Sequence, residues 1–166
     1  EKHHEAVKNV VVDSKRLLMR YFIGLIGELL GVMTLITIGL WIFGIENALL
    51  LGFFGGLMNI IPYLGPVIGT LLGLLLGAST TLAGGDFNQL LPELMKIGGV
   101  FLVANYIDNL LLQPMIYSSS VKAHPLEIFF MIIIGGSLAG ITGMLLAIPV
   151  YTVARVIGKE FFSKFR

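Results

Sequence analysis

Asn105, Asp108, Asn109 and Gln113 recur at i, i+3, i+4 and i+8, a spacing that sets four polar side chains on one face of a helix. Their neighbours are apolar: Val103, Ala104, Tyr106, Ile107 and the run Leu110 to Leu112. One carboxylate flanked by amides is an oxygen-rich set, suited to a cation or to a small hydroxylated solute. A carboxylate near the interior of a bilayer costs at least about 3 kcal/mol on insertion scales, so such groups face a cavity, a partner or a substrate path. Asp108 is therefore the first candidate functional residue. The alternative is that it sits near the helix end, where it reaches the interface or caps a neighbouring helix.

Glu28 is the second candidate, deeper in an apolar stretch than the last preceding basic residue, Arg20. Either it reaches the headgroup region or pairs with Arg20, or it is buried and exchanges protons as a coupling site. Enzymatic chemistry finds no constellation. His3, His4 and Glu5 are adjacent rather than spaced as in a helical zinc motif. No serine stands in a nucleophile-elbow setting. Two acids sharing a proton would need Glu28 to meet Asp108. His124 beside Pro125 reads as a loop residue. With no cysteine, thiolate catalysis, disulfides and cysteine-based metal sites are excluded. The expectation is a protein that is not an enzyme and holds no cofactor or metal, with H+ or Na+ as a coupling ion.

The elements that would position these residues are membrane helices. No charged side chain occurs between Glu46 and Asp86, and this stretch is interrupted by Pro62, Tyr63, Leu64, Gly65 and Pro66. About 20 apolar residues suffice to cross a hydrocarbon core, so 47–85 is too long for one crossing and holds a built-in break. Non-helical backbone at membrane depth is tolerated where protein buries it or a watery cavity borders it, and discontinuous helices make binding sites in transporters. Asn59, Pro62, Gly65 and Pro66 thus join the candidate pathway.

The pattern predicts an all-α polytopic membrane bundle with a discontinuous or re-entrant helical hairpin. An amphipathic interfacial helix covers 1–19, the transmembrane bundle 20–150, and a basic amphipathic tail 151–166. Spans are expected at about 21–43, 48–61, 66–79, 97–112 and 126–150, the second and third short enough to form a hairpin. Thr80 to Glu93 is turn-rich, and Ser118 to Pro125 forms a loop. Basic residues at both ends pull both toward the cytoplasm, which an even number of crossings would satisfy.

Gly65, Gly69, Gly73 and Gly77 step by four, the small-residue pattern that lets helix backbones approach in lipid. Gly52, Gly55 and Gly56 precede them, and Gly24, Gly27 and Gly31 lie beside Glu28. Gly135, Gly136, Gly140 and Gly143 follow in the last span. Gly69, Gly73, Gly77, Gly136, Gly140 and Gly143 are assigned to helix packing, within one protomer or across a homo-oligomer.

Hydrophobic residues make up 56% and charged residues 13% of the 166 residues, against about 25% charged in ordinary soluble domains. The main partner is the lipid bilayer. A net charge of +1 without a basic, aromatic-interleaved stripe argues against nucleic acid. The amino end carries neither an initiator methionine nor a signal-peptide core, and the chain reads as the carboxy-terminal part of a longer protein whose amino-terminal spans would pack against it.

The segments Asn59-Ile60-Ile61-Pro62-Tyr63-Leu64-Gly65-Pro66, Asp108-Asn109 with Gln113-Pro114, His124-Pro125-Leu126, and Gly135-Gly136 through Gly140-Ile141-Thr142-Gly143 to Pro149-Val150 resemble, in order and spacing, the autoinducer-2 exporter family of bacterial permeases. The likeness covers about residues 21–159. It implies a multi-pass transporter of the bacterial inner membrane, some members being assigned export of the quorum signal autoinducer-2 and others sodium or lithium extrusion against protons. Two departures stand out: Glu28 where many members have glutamine, and Ser118-Ser119-Ser120 in place of a glycine-containing turn.

Overall fold

The computed structural model describes residues 2–85, 87–117 and 124–163, with side chains for 10–85, 87–115, 124 and 126–158. The described residues form helices joined by short turns, without a strand: α1 (Lys2–Ile42), α2 (Ala48–Met58), α3 (Leu64–Ala83), α4 (Leu90–Ile107), α5 (Gln113–Tyr117) and α6 (Pro125–Ser163). A 3-10 turn, Phe87–Gln89, precedes α4, and a π-helical turn, Asp108–Leu112, joins α4 to α5. Four stretches are long and apolar enough to cross a membrane by length and composition, Val10–Ile42, Leu64–Ala83, Phe87–Met115 and Leu126–Gly158. The protein is a membrane helix bundle. It divides into two compact units, one of 25–115 and one of 1–24 with 116–166.

In the first unit α2 lies on α1, and α3 lies between α2 and α4. Val32, Ile36 and Leu40 of α1 form an i, i+4, i+8 stripe that joins Leu51 of α2 and Ile97, Val100, Phe101 and Ala104 of α4 in one apolar core. Glycines allow the close approach. A Cβ at Gly56 would come within 2.9 Å of the Leu29 carbonyl oxygen, and one at Gly52 would strike Thr37. The Phe101 ring, 1% exposed, is seated against both Gly55 of α2 and Gly73 of α3, so one side chain closes three helices. Gly77 meets Ile97 in the same way. The four-step ladder of α3 is therefore a packing surface within a single chain.

α2 has only 11 residues, a rise of about 16 Å against a hydrocarbon core of about 30 Å. The helix expected over 48–61 ends at Met58, short of a full crossing, while the 20 residues of α3 are enough for one. The hairpin tip, 59–63, is level with the middle of α1, because Gly56 abuts Leu29. The turn between α1 and α2 is reached through Gly44 and Asn47 at φ 69 and 56.

Two features of the other unit differ from expectation. The boundary expected between an interfacial helix and a first span, near residue 20, is uninterrupted α-helix, since nothing between Lys15 and Tyr21 breaks a helix. The stretch 126–150, expected as one crossing, is broken at Ala139 (φ −139, ψ 22) and Gly140 (φ 59, ψ −142). The two legs fold back on each other: Gly135 lies against the Gly143 backbone, Gly136 against Met144, and the Tyr151 hydroxyl donates to Glu127 across the open end. Gly135, Gly136 and Gly143 are packing residues of this hairpin. Gly140 is its turn, with open space where a Cβ would stand. The leg before the break, Leu126 to Leu138, rises about 20 Å, short of a full crossing, whereas the leg after it continues as helix to Ser163. Residues 118–123 of the expected loop, with its three serines, lie outside the described residues, as do the side chains of His3, His4 and Glu5 and the end of the basic tail.

Because Gly140 has ample space but a conformation close to glycine-only, its substitution isolates backbone strain. Gly140→Ala is expected to destabilise by about 1–3 kcal/mol. Gly27→Ala, helical and also with open space at its Cβ, is expected to be neutral or stabilising by up to about 1 kcal/mol. Thermal denaturation of the two purified variants checks the contrast.

Candidate functional site

The tip of the α2–α3 hairpin is built so that few backbone donors need outside partners. Asn59, Ile60 and Ile61 donate to the Gly56, Leu57 and Met58 carbonyls in successive i to i+3 bonds, carrying the end of α2 into a tightened turn. Pro62 has no N–H. The Leu64 N–H donates to the Pro62 carbonyl at 2.8 Å, and Gly65 to Ile61 at 2.7 Å. Pro66 falls in the first turn of α3, where its missing donor would otherwise lack an intrahelical partner. Gly65 is required at the return, because a Cβ there would collide with the Met58 carbonyl oxygen. The free oxygens of such a tip are the kind that line transporter sites.

Asn59, at the start of the tip, and Asp108, at the end of α4, are 1% and 0% exposed. The Asn59 amide Nδ2 donates to Asp108 Oδ2 at 2.9 Å, and the Gln113 amide Nε2 donates to the same oxygen at 3.0 Å. Asp108 Oδ1 and Asn59 Oδ1 are buried with no hydrogen-bond partner among the described residues. Both are acceptors, so the centre lacks donors or positive charge. Water, a proton, a metal cation or a solute hydroxyl would each complete it.

The π-helical turn places Gln113. In an α-helix a residue at i+5 lies well round the far side, whereas the wider π turn, closed by the Gln113 N–H to Asp108 carbonyl bond, brings it beneath Asp108. The polar face expected from ideal spacing is divided between buried and exposed positions. Asp108 is buried, Asn105 and Gln113 are half-buried, and Asn109 is exposed, its Nδ2 donating to the Asn105 carbonyl at 2.8 Å. Asn109 therefore does not join the centre.

One turn before Asp108, Asn105 Nδ2 donates to Thr70 Oγ1 at 3.3 Å, and Thr70 donates to the Pro66 carbonyl at 2.7 Å. The polar strip thus follows the α3–α4 interface above the tip. Thr70 was not among the residues singled out from sequence, although it sits four positions after Pro66, within the glycine-lined helix. Glu28 is 1% exposed on α1, covered by the protein itself. It directly precedes Leu29, whose carbonyl borders Gly56.

The comparisons with known proteins agree on a class. A sequence model described as AI-2E family transporter matches residues 1–162. The chain belongs to this family. Relatives of this AI-2E family chain include two proteins of Bacillus subtilis: "Putative transport protein YrrI", 35% identical over 124 residues, and "Putative transport protein YueF", 34% identical over 143 residues. These matches cover 75% and 86% of this chain and 33% and 36% of the relatives. A "Putative transport protein" of Thermotoga maritima is 32% identical over 124 residues, covering 74% of this chain and 36% of its own length. The chain thus spans about a third of the length of the curated relatives it matches. No solved structure matches it. The family and these names are those of membrane transport proteins, in keeping with the apolar helices.

Proposed function

We propose that this AI-2E family chain forms part of a multi-pass secondary transporter of the bacterial inner membrane. It exports a small polar solute such as autoinducer-2 past the tip of the α2–α3 hairpin. The observation that carries the reading is the buried Asn59–Asp108–Gln113 centre at a helix break, with two acceptor oxygens left without hydrogen-bond partners. Burying such a group is costly unless something completes it, and a passing solute or ion does. Pro62, Gly65 and Pro66 shape the tip, Asn105 extends the polar strip toward Thr70, and Glu28 is the second buried carboxylate available for coupling. H+ or Na+ is the coupling ion, no other cofactor takes part, and the protein performs no covalent chemistry.

A second reading, sodium or lithium exchange against protons, is favoured by the carboxylate itself, since a neutral solute needs no full charge at its site. Flux into vesicles holding the full-length protein, measured against a panel of cations and small polar signals, separates the two. The lipid bilayer, amino-terminal spans of the same protein and further copies of it are the partners this reading needs.

Water access distinguishes a transporter from a packing scaffold. Cysteine at Asn105, half-buried on the polar strip, is expected to react with a charged thiol reagent. Cysteine at Val103, exposed on the opposite side of α4 where this reading places lipid, is expected to stay unmodified. The natural sequence of this stretch has no cysteine, so labelling of the full-length protein, with any other cysteine replaced, reads the difference directly. Equal silence at both positions would favour the scaffold.

A further inference from the structure

The residue that completes the tip has a backbone conformation that ordinary residues avoid. Tyr63 has φ 65 and ψ −44, and the bond from the Leu64 N–H to the Pro62 carbonyl spans it at 2.8 Å. That is a γ-turn of the positive-φ kind, which is rare and strained. A bulky residue in such a region costs about 1–3 kcal/mol and persists only where its surroundings dictate it, typically at switch regions. Here they do. Pro62 fixes the φ before it, Gly65 is pressed against the Met58 carbonyl after it, and Asn59 at the other end of the same five-residue tip is held by Asp108.

We infer that Tyr63 is a positioning residue, whose strained γ-turn makes the tip a two-state element that presents Asn59 to Asp108 in one state and withdraws it in the other. The inference rests on the transport reading of this site and adds the moving part to it. In the state seen here, the strain at Tyr63 lies four residues from Asn59 Oδ1 and one further hydrogen bond from Asp108 Oδ1, the two acceptors that lack partners among the described residues. Relaxation of Tyr63 to a negative φ outside the inverse γ-turn region breaks the Pro62–Leu64 bond and redirects the chain at the tip, which loosens the register of 59–62. A solute or cation that satisfies the two acceptors opposes that relaxation; its release favours it. Binding at Asp108 is thereby linked to the position of the tip, as differential affinity for two states requires.

Glycine adopts positive φ without penalty, so Tyr63→Gly should trap the state seen here. In full-length protein reconstituted in vesicles, with sodium and autoinducer-2 as the counted species, maximal flux is expected to fall about tenfold while the half-saturating concentration is unchanged or lower. A spin-label pair at Ile60 on the tip and Leu111 beyond Asp108 gives a readout independent of flux. Two distance populations are expected in the parent protein and only the shorter in Tyr63→Gly. If Tyr63→Gly is poorly produced, Tyr63→Asn, which tolerates left-handed backbone, should show the same shift in smaller degree. A Tyr63→Gly protein with parental flux and an unchanged distance distribution would overturn the inference, as would a loss of thermal stability in place of a gain. Loss of flux in Asp108→Asn alongside unchanged Tyr63→Gly would leave the transport reading standing and remove only the moving tip. Parental flux in Asp108→Asn would remove the transport reading itself.

Discussion

Asp108→Asn is expected to lower coupled flux about a hundredfold, the consequence of losing roughly 3 kcal/mol of charge-assisted interaction at the centre, while the protein still inserts and folds. The substitution keeps the shape of the side chain and leaves one oxygen to accept from Asn59 Nδ2 and Gln113 Nε2, which lie 2.9 and 3.0 Å from Oδ2 in the native centre. What it removes is the negative charge that an arriving cation or proton would meet. A neutral amide in a site that is 0% exposed also costs less to bury, so the variant should be at least as stable as the parent. Thermal denaturation and vesicle flux on the same preparation test both halves. Parental flux with raised stability would mean that Asp108 only fastens α4 to the hairpin.

Gly65→Ala is expected to be the most damaging conservative change in the hairpin. Its Cβ would fall on the Met58 carbonyl oxygen and within 2.7 Å of Asn59 Cα, so the colliding atoms are backbone and cannot turn aside. Relief requires opening the tip, which costs about 1–3 kcal/mol or more by analogy with overpacked cores and pulls Asn59 from Asp108. Gly69→Ala, four residues on in the same helix, meets Gly55 backbone at 3.3 and 3.4 Å. A shift of a few tenths of an ångström accommodates it, and the higher helix propensity of alanine offsets up to about 1 kcal/mol. Yield and thermal stability should therefore separate two substitutions that are identical in chemistry. Equal stability of the two would show that the tip is looser than its contacts imply.

The two glycines also show how far the ladder was readable. Spacing by four announced helix packing at Gly65, Gly69, Gly73 and Gly77, and each of them is buried. It did not announce their partners, which are a carbonyl, a glycine backbone, the Phe101 ring and Ile97 in turn. The same spacing misled at Gly140. A step of four from Gly136 looks like a ladder, yet the backbone reverses there, and a reversal made by one glycine among several leaves no separate mark in the sequence. The polar face of α4 was legible as a group, though not which of its members meet at Asp108. Gln113 meets Asp108 through a π-helical turn, which depends on hydrogen-bond register and is not encoded in side-chain spacing.

From sequence alone follow the all-α membrane class, the break around Pro62 to Pro66, the family, and the choice of Asp108 as the residue to watch. Each rests on a local cause: apolar length, proline without a donor, or a carboxylate among apolar neighbours. Only the tertiary structure joined Asn59 to Asp108 across 49 residues of chain, brought Gln113 under the same oxygen, turned Asn109 outward and showed Tyr63 at positive φ. These depend on how α2, α3 and α4 lie against one another. Helix pairing at glycine surfaces is decided by which faces fit, so residues far apart in sequence become one centre only when the bundle closes.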